Sequence, residues 1–265
     1  MTLAGKRVVV IGASSGIGRG VAEHAVAAGA SVVAAARRVE KLAEIEGAIP
    51  LALDLRDPAS REAFAAGVAE RLGSIDLLFV SSGSAPLRSL VASDDADWLS
   101  ALETNLIGVN RTLAALVGLL SEESLTALVS SETAHEPRSH LGAYGASKAA
   151  LEHSIEQWRE EHPWLRFTTI SLGATIPTEF GAGFGHDELV EALNAWGRAG
   201  RSQAKFLSTD EVCRFLGDTF AGLLAAPSID MREVVLRSPS PPEADVGALL
   251  GTAVEGGQTG ALSDL

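Results

Sequence analysis

Cysteine is nearly missing from this sequence, and so is any excess of basic charge. Cys213 is the only cysteine among 265 residues, which excludes an internal disulfide and a cysteine-rich zinc site. Its place in a helical pattern favours a buried, apolar role. Lysine and arginine together number 21 against 34 acidic residues, so the net charge is −13. Nucleic acids and anionic membranes select basic surfaces, so we expect neither as a partner and expect a small molecule instead.

A long hydrophobic run is missing as well. No stretch approaches the ~20 apolar residues that cross a bilayer, and the longest candidate, 113–120, is typical of a core helix. The N-terminus carries a strand-like run and a glycine motif, which removal of a signal peptide would delete. We therefore expect no membrane association and a cytoplasmic location.

Apolar, strand-like runs alternate with helical patterns along the chain. With 46% hydrophobic residues, a chain of this length can bury one core. The alternation predicts an α/β fold: a doubly wound parallel sheet of the Rossmann type, with helices on both faces. The predicted strands are 7–11, 31–36, 49–53, 75–80, 125–130, 166–172 and 233–236, and the predicted helices are 16–28, 58–72, 96–119, 142–161 and 209–224. We assign residues 1–237 to one catalytic domain and 238–265 to a tail rich in proline and glycine.

Residues 178–206 interrupt the alternation. They contain three closely spaced glycines followed by a helical piece, a composition suited to a mobile flap that closes over a pocket. The alternative is an ordinary surface insertion. The aromatic residues of the flap are candidate walls of the pocket: Phe180, Phe184 and Trp196.

A glycine-rich turn follows the first strand. Glycines at the first, fifth and seventh positions of 12–18 let backbone N–H groups approach a pyrophosphate, and the helix that follows places its positive end there. Between strand and helix this motif predicts a dinucleotide site. Its residues are candidates for binding the cofactor: Gly12, Ser14, Ser15, Gly16, Ile17 and Gly18.

Tyr144 and Lys148 lie four residues apart in an alanine-rich, helical stretch, so their side chains share one helix face. A nearby cation favours the phenolate and lowers the pKa of a tyrosine from its usual value of about 10. Ser131 follows the apolar run 125–129, where a strand would deliver its hydroxyl to the carboxyl edge of the sheet. Ligands bind at that edge in open α/β sheets.

On these residues the chain resembles the short-chain dehydrogenase/reductase family in its single-domain form, from residue 5 to about residue 237. The family's serine, tyrosine and lysine match Ser131, Tyr144 and Lys148, and its active-site asparagine matches Asn105. The resemblance implies an oxidoreductase that interconverts a ketone or aldehyde and an alcohol by hydride transfer, with Tyr144 as general acid or base. Lys148 would hold the nicotinamide ribose, Ser131 the substrate oxygen, and Asn105 a water that connects Lys148 to solvent.

The resemblance also implies further contacts with the cofactor. Asp54 matches the acidic residue that meets the adenine amino group, with Leu55 beside it. Gly83 and Gly173 match glycines that line the cofactor, and either Thr175 or Thr178 matches a threonine that reaches the nicotinamide. Two motifs depart from the family: Asn-Ala-Gly is here 81–83, Ser-Ser-Gly, and Pro-Gly is here 172–173, Leu-Gly.

The end of the second strand predicts which coenzyme is preferred. NAD-selective sites place a carboxylate there to bind the adenine ribose, whereas this chain has Ala36 followed by Arg37. Alanine leaves room for a 2′-phosphate, and a guanidinium binds one with charge-assisted hydrogen bonds. We expect a preference for NADP(H), with NAD(H) as the weaker coenzyme. The alternative is that Arg37 and Arg38 only begin a solvated helix.

The loop between Ser131 and Tyr144 contains His135, Glu136, Arg138 and His140. Two histidines and a carboxylate are compatible with a metal site, but we favour a polar loop beside the pocket that contributes to specificity. The expected chemistry needs no metal.

Two other functions share parts of this pattern. A non-catalytic protein that senses or binds NAD(P) would keep the fold, but such proteins usually lose the tyrosine or the lysine. An epimerase or dehydratase would keep both and use the cofactor transiently, but those resemble longer chains. We favour the oxidoreductase, with a neutral, partly apolar carbonyl or alcohol as substrate. By resemblance we expect a homodimer or homotetramer, with 96–119 and 142–161 at the interface.

Overall fold

The computed structural model describes residues 2–201 and 205–239. Seven parallel strands form one sheet in the order β3-β2-β1-β4-β5-β6-β9, and two short strands, β7 and β8, pair separately. The strands are β1 Arg7–Ile11, β2 Ser31–Ala36, β3 Ala48–Ala52, β4 Ile75–Val80, β5 Leu120–Val129, β6 Arg166–Leu172, β7 Thr175–Ile176, β8 Leu207–Ser208 and β9 Glu233–Leu236. The predicted doubly wound α/β fold is confirmed.

Helices cover both faces of the sheet. They are α1 Gly16–Ala27, α2 Val39–Leu42, α3 Pro58–Leu72, α4 Asp95–Leu102, α5 Gly108–Leu116, α6 Gly142–Glu161, α7 His186–Arg198 and α8 Thr209–Leu224. The sequence did not predict α2, which is a single turn. It also placed the start of β5 five residues too late, because polar residues 121–123 hide the first half of that strand.

Neighbouring residues of each central strand enter opposite cores, because side chains alternate across a strand. In β1, Val8 and Val10 pack in the core that contains residues of α1 and α8. Val9 and Ile11 pack in the other core, with residues of α3, α5 and α6. A sheet that is covered on both faces needs unbroken apolar strands, which is why β1 and β4 contain almost no polar residues.

The strand order reverses between β1 and β4. From β1 the chain adds β2 and β3 on one side of the sheet, and then crosses to add β4, β5, β6 and β9 on the other side. All seven strands are parallel, so their carboxyl ends meet at one edge. The loops that leave this edge begin at Gly12, Ser81, Ser130 and Gly173. In such sheets the crevice at the reversal is where ligands bind, so the fold brings the predicted site together.

The predicted continuous helix over 96–119 is wrong in its centre. Residues Glu103–Ile107 form a turn of π-helix between α4 and α5. The wider turn turns Asn105 inward, where it is fully buried. Gly108 follows at the tightest point, because a Cβ built on it would be 2.6 Å from the carbonyl oxygen of Leu55. Such π-turns frequently occur at functional sites.

Within the part of the chain that the structure describes, no helix combines the length and the apolar composition of a membrane span. The assignment of 1–237 to a single domain stays a prediction. The proposed tail lies outside the described residues from residue 240 onward.

Replacing Gly108 with alanine should destabilise the fold. The new Cβ would be 2.6 Å from the Leu55 carbonyl oxygen and 2.7 Å from that of Glu103, and neither backbone atom can rotate away. Overpacking of this kind costs about 1–3 kcal/mol, which urea unfolding would measure. Gly118→Ala is the matched control, because a Cβ there would have no atom within 4 Å. Equal stabilities of the two variants would contradict this account of the packing of Gly108 after the π-turn.

Candidate active site

The glycine-rich turn is held in a shape that other residues could not adopt. Gly12 has a φ of +91° and Gly16 a φ of +52°, both in the region that favours glycine. A Cβ on Gly12 would be 2.7 Å from the backbone nitrogen of Ser82, and one on Gly18 would overlap the carbonyl oxygen of Gly12. The turn therefore packs backbone against backbone at the carboxyl ends of β1 and β4.

The residues of this turn fit the pyrophosphate of a dinucleotide. Helix α1 begins at Gly16, and its N-cap residue, Ser15, makes no side-chain hydrogen bond to the first turn. Its first N–H groups therefore have no side-chain cap, and the helix dipole favours an anion there. Ile17 anchors the turn by packing against the core.

Ser81 replaces the asparagine of the family motif after β4. Its backbone nitrogen donates to the carbonyl oxygen of Ile11 at 2.9 Å, and its hydroxyl donates to the same oxygen at 3.3 Å. The hydroxyl oxygen also lies where a Cβ on Gly18 would be. The smaller serine thus still joins β4 to the glycine-rich turn.

Arg38, and not the Arg37 that the sequence favoured, is the arginine that contacts the turn. Its Nη2 donates to Ser14 Oγ at 2.9 Å and to Ser15 Oγ at 3.3 Å. Arg37 is exposed, and its contact with a 2′-phosphate stays a prediction. Adjacent residues of an extended segment point to opposite sides, so only one of the two can face the turn. The sequence gives no sign of which.

The remaining candidates for the cofactor surround the same crevice. Asp54 accepts a hydrogen bond from the backbone nitrogen of Arg56 at 2.9 Å, inside a turn after β3, and Leu55 beside it is buried. Gly83 is exposed, and a Cβ on it would be 3.9 Å from Lys148 Nζ.

On the far side of the crevice, the backbone nitrogen of Gly173 donates to the carbonyl oxygen of Leu236 at 2.9 Å. The two candidate threonines differ in place. Thr175 Oγ1 donates to the carbonyl oxygen of Gly173 at 3.0 Å, whereas Thr178 lies beside the glycine-rich turn, 3.6 Å from a Cβ built on Gly16. Which of them reaches a nicotinamide stays a prediction.

The structure brings Tyr144 and Ser131 together. Tyr144 is 6% exposed, in the first turn of α6, and its phenol interacts with Ser131, just beyond β5. Thr133, which the sequence analysis did not single out, orients that serine: its hydroxyl donates to Ser131 Oγ at 2.9 Å and its backbone nitrogen at 3.2 Å. A serine followed two residues later by threonine is too common to have revealed this role.

The pKa of Tyr144 moves in the direction opposite to the expectation. Burial disfavours the phenolate and raises the pKa to about 12, and only the interaction with Ser131 opposes this. Lys148 Nζ lies 5.9 Å from the centre of the Tyr144 ring. Burial also lowers the pKa of Lys148 to about 8, against the attraction of Glu152. In this structure the phenol is therefore protonated at neutral pH.

Hydrogen bonds of Lys148 and Asn105 connect helix α6 to the neighbouring elements. Lys148 is 2% exposed, and its Nζ donates to the carbonyl oxygen of Val129 at 2.8 Å. Asn105 Oδ1 accepts from the backbone nitrogen of Ser84 at 2.7 Å, and its Nδ2 donates to Ser147 Oγ at 2.8 Å. The π-turn, the loop after β4 and α6 are thereby joined. The water that the resemblance assigns to Asn105 stays a prediction.

The proposed flap packs against Tyr144. The Phe180 ring lies edge-on to the Tyr144 ring, with centroids 5.2 Å apart, and the Phe184 ring lies edge-on to that of Phe180, with centroids 5.6 Å apart. Trp196 Nε1 donates to the carbonyl oxygen of Ser139 at 2.7 Å, and the Arg138 guanidinium lies over its indole. All three predicted aromatic residues thus lie on the side of the flap that faces the site. Flap residues 202–204 are outside the described part of the chain.

The polar loop before α6 contacts three acidic side chains. Arg138 pairs with buried Glu132, His135 Nε2 lies 2.7 Å from Glu152, and His140 Nε2 lies 3.5 Å from Glu191 on α7. Within residues 2–201 and 205–239, no group of three or more His, Cys, Asp or Glu side chains is arranged to hold a metal ion. The part of this loop in specificity stays a prediction.

Comparisons with known proteins agree with this fold. The family model for short chain dehydrogenases matches residues 6–188. The chain is 32% identical to an uncharacterized oxidoreductase of Listeria monocytogenes over 171 residues, 61% of this chain and 69% of the relative. It is 27% identical to the 3-oxoacyl-acyl-carrier-protein reductase of Salmonella typhimurium over 242 residues, 83% of this chain and 96% of the relative.

Among solved structures, the fold is similar to that of an alcohol dehydrogenase from the archaeon Thermococcus sibiricus complexed with 5-hydroxy-NADP. The TM-score is 0.75 at 24% identity, covering 89% of this chain and 99% of the other. Taken with the fold, these matches define an oxidoreductase. The chain belongs to the short-chain dehydrogenase family.

The ionisation of Tyr144 can be measured directly, because it is the only tyrosine in the chain. Phenolate absorbance near 295 nm should show half-ionisation near pH 12 in the folded protein without coenzyme, because burial raises the pKa to about 12. In the denatured chain, half-ionisation should occur at the usual tyrosine pKa of about 10. Ser131→Ala should raise the pKa further. Half-ionisation at or below pH 10, with circular dichroism showing a folded chain, would contradict the burial.

Proposed function

We propose that this protein is an NADP(H)-dependent oxidoreductase that interconverts a ketone or aldehyde and an alcohol, with Tyr144 as the general acid or base. The observation that carries the proposal is the buried Tyr144 phenol, which interacts with Ser131, the residue that follows β5 by two positions at the carboxyl edge of the sheet. When bound, a nicotinamide coenzyme supplies or accepts the hydride, and the positive charge of its oxidised form favours the phenolate.

In reduction, Tyr144 gives its proton to the carbonyl oxygen as charge develops there. The phenol carries its proton at neutral pH, because burial raises its pKa, so the proton is present to be transferred to the carbonyl oxygen. Ser131 holds the same oxygen through its hydroxyl and fixes its distance from the phenol. Thr133 keeps the Ser131 hydroxyl in place by donating to it.

Lys148 binds the nicotinamide ribose in this proposal. Its ammonium has three N–H donors, of which one is used by the carbonyl oxygen of Val129. The others are available to ribose hydroxyls. Burial lowers its pKa only to about 8, so the group is mostly cationic at pH 7 and still supports the phenolate when alcohol is oxidised.

The preference for NADP(H) rests on the end of β2. Among the described residues of β2, 31–36, there is no carboxylate to bind a ribose 2′-hydroxyl. Arg37 follows, and Arg38 points to the glycine-rich turn through Ser14 and Ser15. A guanidinium beside two hydroxyls suits a phosphate better than a hydroxyl group. The Thermococcus enzyme was solved with an NADP derivative, which agrees with this proposal.

The substrate that we propose is neutral and partly apolar. Tyr144 lies in a cluster with Leu87, Leu141 and Ala192, against which Phe184 and Trp196 of the flap pack. Such surroundings favour a ligand with apolar parts. The Salmonella relative, named as a reductase of 3-oxoacyl groups, belongs to the same reaction class.

We also propose a homodimer or homotetramer. Leu99 on α4 is 52% exposed and Ile107 in the π-turn is 50% exposed. Both lie on the helical stretch that the sequence assigned to the interface. Burying such side chains against a second copy would stabilise the assembly through the hydrophobic effect.

Replacing Tyr144 with phenylalanine should abolish turnover and leave coenzyme binding intact. The variant loses the proton-carrying oxygen but keeps the ring that packs against Phe180. General acid–base catalysis contributes about 10²–10⁴-fold, so kcat should fall at least that far on any carbonyl that the wild type reduces. Calorimetric titration with NADP⁺ is the control for folding. A variant that keeps more than about a tenth of the rate would exclude Tyr144 as the proton donor.

Removing the Arg38 guanidinium should lower the catalytic efficiency with NADPH but not with NADH. Hydrogen bonds to charged groups are worth about 1.5–3 kcal/mol, so kcat/KM for NADPH should fall about tenfold or more in Arg38→Ala, with little change for NADH. Arg37→Ala tests the arginine that the sequence favoured, and Arg71→Ala, on the exposed end of α3, is the matched control. The preference is wrong if the wild type favours NADH, or if neither Arg37→Ala nor Arg38→Ala alters selectivity.

A further inference from the structure

Three consecutive flap residues contact three separate parts of the site. Thr178 lies against the glycine-rich turn, 3.6 Å from a Cβ built on Gly16. Glu179 Oε2 is 2.6 Å from Arg38 Nη2. The Phe180 ring packs on the ring of Tyr144. Residues 178–180 therefore lie across the turn, the arginine and the phenol at once.

The surroundings of the Glu179 carboxylate resemble a small anion site. The hydrogen bond from Arg38 does most to hold the pKa of Glu179 below its usual value, and the Ser15 hydroxyl and the charges of Arg38 and Lys41 act in the same direction. A guanidinium, a hydroxyl and an ammonium are the donors that also recognise phosphate. In this structure the Glu179 carboxylate, which belongs to the flap, is the anion that these donors bind.

One nitrogen of Arg38 is already fully engaged. Nη2 carries two N–H bonds, yet it lies within hydrogen-bonding distance of Ser14 Oγ, Ser15 Oγ and Glu179 Oε2. A second anion could bind this nitrogen only if the carboxylate left, because two negative charges side by side repel. Glu179 and a 2′-phosphate would therefore compete for the same donor.

We propose that Glu179 is a residue that determines coenzyme specificity: its carboxylate holds Arg38 in the free protein, competes there with the 2′-phosphate of NADP(H), and leaves with the flap when that phosphate binds. This inference rests on the proposed preference for NADP(H). It assigns to the flap, and not to the end of β2, a carboxylate that weakens the binding of the phosphorylated coenzyme. NAD(H) has no 2′-phosphate and does not compete.

The test compares three full-length proteins: wild type, Glu179→Gln and Glu188→Gln. The last is the matched control, because it removes one negative charge from the first turn of α7 on the same flap. The Kd values of NADP⁺ and NAD⁺ are measured by calorimetry. The Arg38–Glu179 pair is half-exposed, and such pairs are weak, so Glu179→Gln should bind NADP⁺ about two- to fivefold more tightly. Its Kd for NAD⁺ and both Kd values of Glu188→Gln should stay unchanged.

A second measurement follows the flap itself. Hydrogen exchange over 179–198 should become faster when 2′,5′-ADP is added to the wild type, because the phosphate breaks the contact that holds the flap. 5′-AMP, which lacks the 2′-phosphate, should not have this effect. In Glu179→Gln exchange should be fast from the start. An unchanged exchange rate in the wild type with bound 2′,5′-ADP would overturn the release of the flap.

The outcomes separate this inference from the proposed function. Suppose that the wild type prefers NADP⁺ but Glu179→Gln does not bind NADP⁺ more tightly. The proposed competition between Glu179 and the 2′-phosphate is then wrong, and the coenzyme preference stands. An equal gain for both coenzymes, or the same gain in Glu188→Gln, also overturns the competition. If the wild type prefers NAD⁺ and Glu179→Gln loses affinity for it, Glu179 binds the ribose hydroxyl, and both proposals fail.

Discussion

The hydrogen bond from Lys148 to the carbonyl oxygen of Val129 joins helix α6 to strand β5. A buried ammonium is costly unless it is hydrogen-bonded, so α6 must place Lys148 where a backbone carbonyl is available, at the last residue of the strand. Ser131 follows that residue by two positions, and Tyr144 lies one helical turn before Lys148. This one bond therefore brings the phenol to the serine hydroxyl and fixes where the chemistry takes place.

Charge is distributed unevenly between the surface and the site. The chain carries a net charge of −13, which by itself repels an anionic coenzyme. Salt screens charges on the surface beyond about 8 Å at physiological ionic strength, so the nearby groups decide binding. Arg38, Lys41 and the start of α1 supply those groups at one end of the crevice, and Lys148 supplies one at the other. Glu179 is an acid from the flap that pairs with Arg38 at the first end.

Much of the fold and part of the site could be predicted from local patterns. Buried parallel strands need mostly β-branched and apolar residues, and 7–11 and 75–80 have these at all positions but one, so their bounds were predicted correctly. The glycine spacing predicted the turn, because only glycine allows such close backbone contacts. Tyr144 and Lys148 were placed on one helix face by their spacing alone. The π-turn at 103–107 was not predicted, because it depends on how Gly108 packs against a distant loop.

The sequence by itself determined which residues reach the carboxyl edge of the sheet, because periodicity and turn residues are local properties. Only the tertiary structure decided what happens to them there. Burial raises the pKa of Tyr144, against the lowering expected from Lys148, because removal from water depends on every element packed around the phenol. Contacts between distant segments likewise decided that Arg38 binds the glycine-rich turn and that Glu179 pairs with Arg38.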